Sequence, residues 1–475
     1  MTIARRTLLG ASAALGLTAA TGGVAFGAPK KGAITDPAHF DLATVADDGK
    51  LALPRGFKAI RVGTIGVEPL LGDRGGAVVG TTPSNLDGTG AFDFPGRIRL
   101  VRNHECRANS DVPVPLVPGT VYDDGVPTGM GGNTIVETKP NGTFVQQWVG
   151  LSGTIRNCAG GETPWGSWLS CEEDTTKAGA VVTSSVDGKQ YVTKKDHGYV
   201  FEVFPDVVAA QIPQPIKAWG RAVWEGAAIG PDRTQAYLTE DTGGGLFYRW
   251  TAPAGATISS GIARQFGDSD GVLHAAKLVR NGEALVHYGQ LSESDLNKPY
   301  PVEWVAGGAD RQAQEQNLRA QFPGATVHPK VEGCWTDGKG LWFTLSYVNQ
   351  SQVNSYQQSH GIDLGLDDGM VMYYDYAAQT LTLKLYWPAG GYFDSPDNIT
   401  VSPWGSIVIA EDGDNPCHLV SWTPRQGSKP LAKDLADRGE FAGPVFNKSG
   451  RVLFASVQSD CTYAITGPLA KFLAH

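Results

Sequence analysis

The sequence predicts an all-β protein, and three observations carry that reading. A unit of Gly-containing turn, short apolar strand and polar or acidic end recurs six times along the chain. Glycine (61 residues), proline (29) and tryptophan (12) suit many turns between packed strands. Helical periodicity is scarce, with RQAQEQNLRAQF (Arg311 to Phe322) the clearest case.

The first three copies are PGRIRLVRNHEC from Pro95, PWGSWLSCEEDT from Pro164 and PDRTQAYLTEDT from Pro231. DGKGLWFTLSYV from Asp337, PWGSIVIAEDGD from Pro403 and SGRVLFASVQSD from Ser449 follow. A further strand precedes most copies and is introduced by an acid: Glu225 in EGAAIGPD, Glu332 in EGCWTDGK, Asp397 in DNITVSPWG and Glu440 in EFAGPVFNKSG. A third strand comes after, as in GLFYRW, GMVMYYDY and HLVSW. Such a unit, six times over, predicts a six-bladed β-propeller. The one long gap between copies holds Pro253 to Phe322, expected to be a partly helical insertion. Loops at one mouth of a propeller converge, so Glu225, Glu332, Asp397 and Glu440 are expected to meet at the same phase of their repeats. Carboxylates gathered there repel one another in a low dielectric, and bound cations relieve that cost.

At the N-terminus, Arg5-Arg6, a weakly apolar stretch and the small residues around Ala25 to Ala28 predict a twin-arginine signal over 1–28. The propeller is expected over 29–475, exported by the Tat translocase to the periplasm, cell surface or medium. No other stretch is apolar enough to span a membrane. A net charge of -9 without a basic run argues against nucleic acid as partner. With no exposed apolar stripe, a monomer is expected.

Chemistry concentrates in NCAGGETPWGSWLSCEED, Asn157 to Asp174. Cys158 has two readings. It is either half of a disulfide to Cys171 or Cys106, or a thiolate ligand for a soft metal such as iron or zinc. Asn103 and Glu105, at the end of the apolar run RIRLV, offer hard oxygen ligands suited to calcium. EDGDN, near Asp412, resembles the start of a calcium loop and lacks the twelfth-position Glu of an EF-hand. GDSDG, from Gly267, fits the nucleophile-elbow spacing without its strand-to-helix setting and reads as a polar turn. Lys330, two residues before Glu332, places a cation beside the acids and suits an anionic substrate such as a phosphate.

These motifs together resemble the PhoX-type secreted alkaline phosphatases. RNHE, the NCAGG to CEED unit, HGYVFEV, WEGAAIG, YLTEDTGGGLFYRW and PDNITVSPWGSIVIAEDG carry the resemblance, which runs roughly from Asp41 to Pro468. The C-terminal stretch is similar to a shorter branch of that group. The resemblance implies hydrolysis of phosphomonoesters at an iron pair with calcium ions. It implies Cys158 as the iron thiolate and Glu225, Glu332 and Asp397 as cluster carboxylates. Glu105 and Glu172 complete the expected metal ligands. Cys158, Glu225, Glu332 and Lys330 form the expected catalytic set, and Lys330, Asn103 and Asn157 the expected substrate contacts. Lys330 stands where the family has a phosphate-binding arginine, and Trp224 where it often has His. Two alternatives are a calcium-dependent lactonase-type propeller, which has no thiolate, and a non-catalytic binding propeller stabilised by calcium.

Overall fold

The computed structural model describes residues 42, 44–313, 315–413 and 416–474. The signal segment predicted over 1–28 lies outside them. Among the described residues the chain is mostly strand, and the longest helix is Gln350–His360. The stretch Arg311 to Phe322 forms only a short helix, Glu315–Arg319. Part of the expected insertion is strand: Val272–Arg280, Glu283–Ala284 and Pro299–Gly307. Val272–Arg280 adds to the edge of Gly245–Thr251, and Pro299–Gly307 adds beyond it.

Six strands line the centre: β1 (Leu86–Phe94), β2 (Asn157–Glu162), β3 (Trp224–Ile229), β4 (Val331–Thr336), β5 (Pro396–Val401) and β6 (Phe441–Phe446). Each begins an antiparallel sheet that runs outward through the next strands in sequence. Each also neighbours the next inner strand, and β6 neighbours β1, so the contacts close into a ring. This is a propeller-like arrangement. The sheets that start at β3 and β4 join at their outer edges, where Pro299–Gly307 pairs with Thr380–Pro388. The ring is closed by the two ends of the chain: Lys58–Thr64 pairs antiparallel with Cys461–Thr466, so an N-terminal strand is the outer edge of the last sheet. Apolar side chains of neighbouring sheets interdigitate, with Trp168, Trp219, Trp224 and Trp250 fully buried between them.

The inner strands share an irregularity. In β1 to β5 the register with the second strand slips over two residues near the start, between Leu86 and Thr89, Asn157 and Gly160, Trp224 and Ala227, Val331 and Cys334, and Pro396 and Ile399. A bulge bends the strand and re-aims the side chain within it. The re-aimed residues are Asp87, Cys158, Glu225, Glu332 and Asp397. Glycine follows three of them because neighbouring inner strands approach closely. A Cβ on Gly88 would lie 2.5 Å from Ala159 Cα, and one on Gly333 2.9 Å from Asn398 Cα. Below these residues the centre narrows to a cavity of about 20 Å³ lined by glycines, Trp168 and Trp335, room for about one water.

Candidate metal centre

Two tiers of side chains meet at one mouth of the ring. The lower tier is the bulge set, Asp87, Cys158, Glu225, Glu332 and Asp397. The upper tier comes from the residue just after the second strand of each sheet: Glu105, Glu173, Asp241 and Asp412, with Ser346 and Gln458 at the same phase of the other two. Glu440, immediately before β6, joins them. In β6 the bulge falls between Ala442 and Val445, so the position equivalent to Asp87 is Gly443. Glu440 therefore reaches the cluster from three residues earlier than the expected common phase.

The ligand atoms form four overlapping groups, each within 4.8 Å of one another. They are Asp87–Glu105–Cys158, Cys158–Glu173–Glu225, Glu225–Glu332–Asp397 and Asp397–Asp412–Glu440. Cys158, Glu225 and Asp397 each belong to two groups, so the four form one continuous band. Two groups mix sulfur with oxygen and two offer oxygen alone.

Electrostatics of the band are those of a site without enough positive charge. Burial and then the Glu105 carboxylate push Asp87 up to about 7. Burial and then Asp241 push Glu332 to about 8, against the pull of Lys330. Glu225 and Asp397 rise well above the carboxylate range through burial and through their acidic neighbours. Glu440 rises through burial and Asp412. Burial, then Asp87 and Glu225, hold the Cys158 thiol protonated, and its Sγ donates to Asp87 Oδ2 at 3.4 Å. Two cations offset part of the charge. Lys330 Nζ lies 2.9 Å from Glu332 Oε1, 3.9 Å from Asp412 and 4.0 Å from Asp241. The Lys330–Glu332 contact is ionic, without hydrogen-bond alignment. Arg156 donates through Nε to Glu105 Oε1 at 2.6 Å and pairs through Nη2 with Glu173 Oε2 at 2.6 Å.

The family of this fold is decided by sequence. The model of the family "Alkaline phosphatase PhoX" matches residues 141–460. The chain belongs to the PhoX alkaline phosphatases. It is thus a phosphoric monoester hydrolase of a metal-dependent family, which decides against the lactonase and the non-catalytic propeller. The solved structure of Pseudomonas fluorescens PhoX in complex with vanadate, a transition state analogue, is similar in fold. Its TM-score is 0.62 at 18% identity, covering 88% of this chain and 96% of that one. A streptogramin B lyase structure overlaps at TM-score 0.31 and 10% identity, covering 87% of this chain and 98% of that one. No curated protein sequence matches the chain.

Seen in this PhoX chain, the expected site residues fall into three sets. Cys158, Glu225, Glu332, Asp397 and Glu105 stand in the band, with Lys330 at its rim. Glu172 does not. Its carboxylate accepts from the backbone N–H groups of Ile155, Gly198 and Tyr199 and from His197 Nδ1 at 2.7 Å, which leaves no lone pair for a metal. Successive strand residues face opposite ways, so Glu172 turns into the sheet and Glu173 to the mouth. The same division separates Glu240 from Asp241 and Glu411 from Asp412. Glu240 takes Tyr248 and Arg319, and Glu411 takes His418.

Asn103 and Asn157 are also corrections. Both are fully buried, out of reach of a substrate. Asn103 Nδ2 donates to the carbonyls of Cys158 (2.7 Å) and Ala159 (2.9 Å), while its Oδ1 accepts from Ser170 Oγ. Asn157 links Thr154 and Ser170. They hold the Cys158 turn in place. The disulfide reading has no support, since all six cysteines are free.

Asp87, Glu173, Asp241 and Arg156 were missed from sequence. A signal existed for the first: Leu86-Asp87-Gly88 repeats the apolar–acid–glycine pattern of Trp224-Glu225-Gly226 and Val331-Glu332-Gly333. For Glu173 and Asp241 the signal was their place as the second acid of Glu-Glu and Glu-Asp strand ends.

Proposed function

We propose that the chain is an exported phosphatase whose mouth holds iron beside Cys158 and calcium beside Glu332, Asp397, Asp412 and Glu440, on six blades. The observation that carries this reading is the continuous band of buried and half-buried ligand groups, sulfur at one end and oxygen alone at the other. A thiolate favours iron over calcium, whereas all-carboxylate groups suit calcium. The donor set fits these ions in a second respect. Near neutral pH, buried carboxylates pushed up to about 7 and 8 hold protons, which bound cations displace. The ring of six inner strands supports the blade count.

When bound, such cations supply Lewis-acid neutralisation of the phosphoryl oxygens as the ester bond breaks. The chain's own groups do the rest. Asn103 fixes the Cys158 turn, and Glu172 with His197 fixes the backbone at Ile155 and Tyr199. Lys330, partly exposed at the rim, is placed to meet the phosphate of a small ester. The ordinary substrate is taken to be a phosphomonoester, and the enzyme a monomer.

Export by the twin-arginine route rests on Arg5-Arg6 and suits a centre loaded before translocation. No described helix is long and apolar enough to cross a membrane. Two measurements test the reading together: metal content of the purified mature chain, and hydrolysis of p-nitrophenyl phosphate before and after chelation. Iron plus calcium, with activity lost on their removal, is expected. Hydrolysis that persists in metal-free protein would overturn it. The export step has its own check: replacing Arg5-Arg6 with lysines should retain the protein in the cytoplasm.

A further inference from the structure

The ligand band is not covered evenly. At its sulfur end Cys158 is 7% exposed and Glu225 1%, and Arg156 is held across Glu105 and Glu173. At the oxygen-only end Asp397, Asp412 and Glu440 are all half-buried, and the Asp412 side chain reaches 40% exposure. Solvent therefore reaches the band where Lys330 stands, between Glu332 and Asp412. An ester that brings its phosphate to Lys330 carries its leaving group outward past the same end.

One aromatic side chain is fixed beside that lysine. Tyr347 follows Ser346, the mouth-phase residue of the β4 sheet, and its ring centroid lies 5.9 Å from Lys330 Nζ. The backbone on both sides of it is held. The Ser346 N–H donates to the Lys330 carbonyl at 3.4 Å, and Val348, 1% exposed, exchanges hydrogen bonds with Asp367. Asn349 then caps the helix Gln350–His360 by accepting from the Gln352 N–H. The Tyr347 ring is half-buried and joins neither of the apolar clusters that flank the β4 sheet. Its hydroxyl has no hydrogen-bond partner among the described residues. The ring is thus anchored by its backbone and left with an uncommitted face.

We infer that Tyr347 is a specificity-determining wall for the leaving group, receiving the flat ring of an aryl or nucleoside phosphomonoester. The inference rests on the phosphatase reading and adds a substrate class to it. The phosphate is the same in every monoester, so discrimination comes from what the leaving group touches. A planar leaving group offset over a tyrosine ring gains dispersion and quadrupole contact. A hydrated polyol gives up water there without a comparable gain. The ring takes no part in breaking the ester bond, so it acts on the choice of ester.

Tyr347→Ala removes the ring and Tyr347→Phe keeps it, and both are to be measured on the metal-loaded mature chain beside wild type. The readouts are iron and calcium content and kcat/KM for p-nitrophenyl phosphate, a nucleoside monophosphate and glycerol phosphate. Each variant is compared with wild type on the same ester, so that differences in leaving-group reactivity cancel. Expected for Tyr347→Ala is wild-type metal content, with the preference for either ring-bearing ester over glycerol phosphate reduced about fivefold or more. Tyr347→Phe is expected to hold the wild-type preference, since the hydroxyl has no partner to lose. An unchanged preference in Tyr347→Ala would overturn the inference. So would an equal loss on all the esters, with or without loss of metal, which would make Tyr347 a support for Lys330. A Tyr347→Phe chain that matches the alanine variant would overturn it too, because the hydroxyl and not the ring would then make the contact. A wild-type chain that hydrolyses no ester would overturn the phosphatase reading itself, and that result is read before any variant is compared.

Discussion

Two acid-rich regions of the molecule have opposite electrostatics. At the mouth, Asp87, Glu225, Glu332 and Asp397 crowd together with too few cations, and each is raised from the ordinary carboxylate range. At the closure of the ring, Asp48, Asp434 and Asp460 surround Arg61 and Arg438. There Arg438 Nε donates to Asp434 Oδ1 at 2.8 Å, Arg61 Nη1 to Asp48 at 3.1 Å, and Arg438 Nη1 also to the Tyr463 hydroxyl. Burial opposes ionisation of Asp48 and Asp460 too, but the arginines and hydrogen bonds outweigh it and both are lowered. The lesson is one of stoichiometry. Acids matched by arginine hold the chain ends together, whereas acids left unmatched are built for a ligand that brings its own charge.

The comparison can be broken at several points, and the largest effect is expected at Cys158. Cys158→Ala should lower the bound metal and reduce kcat/KM more than about 100-fold, since loss even of a group supporting a ligand costs about 10–100-fold. Metal analysis and steady-state kinetics on the same preparation check it. Asn103→Ala, which frees the Cys158 and Ala159 carbonyls, should fall within that 10–100-fold range in metal affinity. At the closure, Arg438→Met should cost about 3 kcal/mol of stability, because it leaves Asp434 buried without its partner. Its kcat should stay at the wild-type value, and denaturant titration beside an activity assay would show any other pattern.

The neighbouring acids Glu172 and Glu173 sharpen the contrast within a single turn of chain. Glu172→Gln should lower stability by about 2 kcal/mol, since it withdraws charge from four donors. Glu173→Gln should abolish most activity yet leave the melting temperature of the metal-free chain unchanged or raised. Burial pushes Glu173 well above the carboxylate range against the pull of Arg156, so in the metal-free chain an amide replaces an acid already favoured as neutral. If the two variants behaved alike, the division of strand ends into sheet-facing and mouth-facing acids would be wrong.

The smallest and most diagnostic effect is the pH dependence of stability. Asp123 is held at about 2, because its hydrogen bonds from His197 and backbone N–H groups outweigh burial. Its stabilisation is full above the unfolded value near 4 and is lost as pH falls toward 2. Mouth acids act in the other sense. With folded values of about 7 for Asp87 and 8 for Glu332, the metal-free chain binds more protons folded than unfolded between pH 4 and 8. Their contribution is full below about pH 4 and lost as pH rises through 7 to 8. Metal-free protein should therefore melt earlier at pH 8 than at pH 5, and added calcium should reverse the difference. Thermal melts with and without chelator across that range decide it.

Much of the architecture was legible in the chain. The six turn–strand–acid copies announced the sheets; Glu225, Glu332 and Asp397 were legible from their place before a strand of the repeat, and Cys158 from the glycine-rich NCAGG unit. Less legible was which of two adjacent acids faces the mouth. Glu172 and Glu173 differ by one residue, and a one-residue change of phase reverses the face of a strand. Asn103 and Asn157 misled for a related reason: polar residues beside a site suggest contact with a ligand, but here Asn103 is taken by the Cys158 and Ala159 carbonyls and the Ser170 hydroxyl, and Asn157 by the Thr154 and Ser170 hydroxyls. The helical pattern at Arg311 to Phe322 yields only the short helix Glu315–Arg319, after which turns lead into Pro323-Gly324.

By itself, then, the sequence determined the repeat, the strand pattern and the residue types that give the site its chemistry. Those are local properties, set by alternation, turn residues and the acid–glycine pairs. Only the tertiary structure decided which copies of the repeat adjoin. It also decided that Glu440 enters from a different phase and that Asp87 and Glu173 complete the band. These depend on closing the ring through Lys58–Thr64 and Cys461–Thr466, a pairing of residues some 400 positions apart that no local pattern encodes.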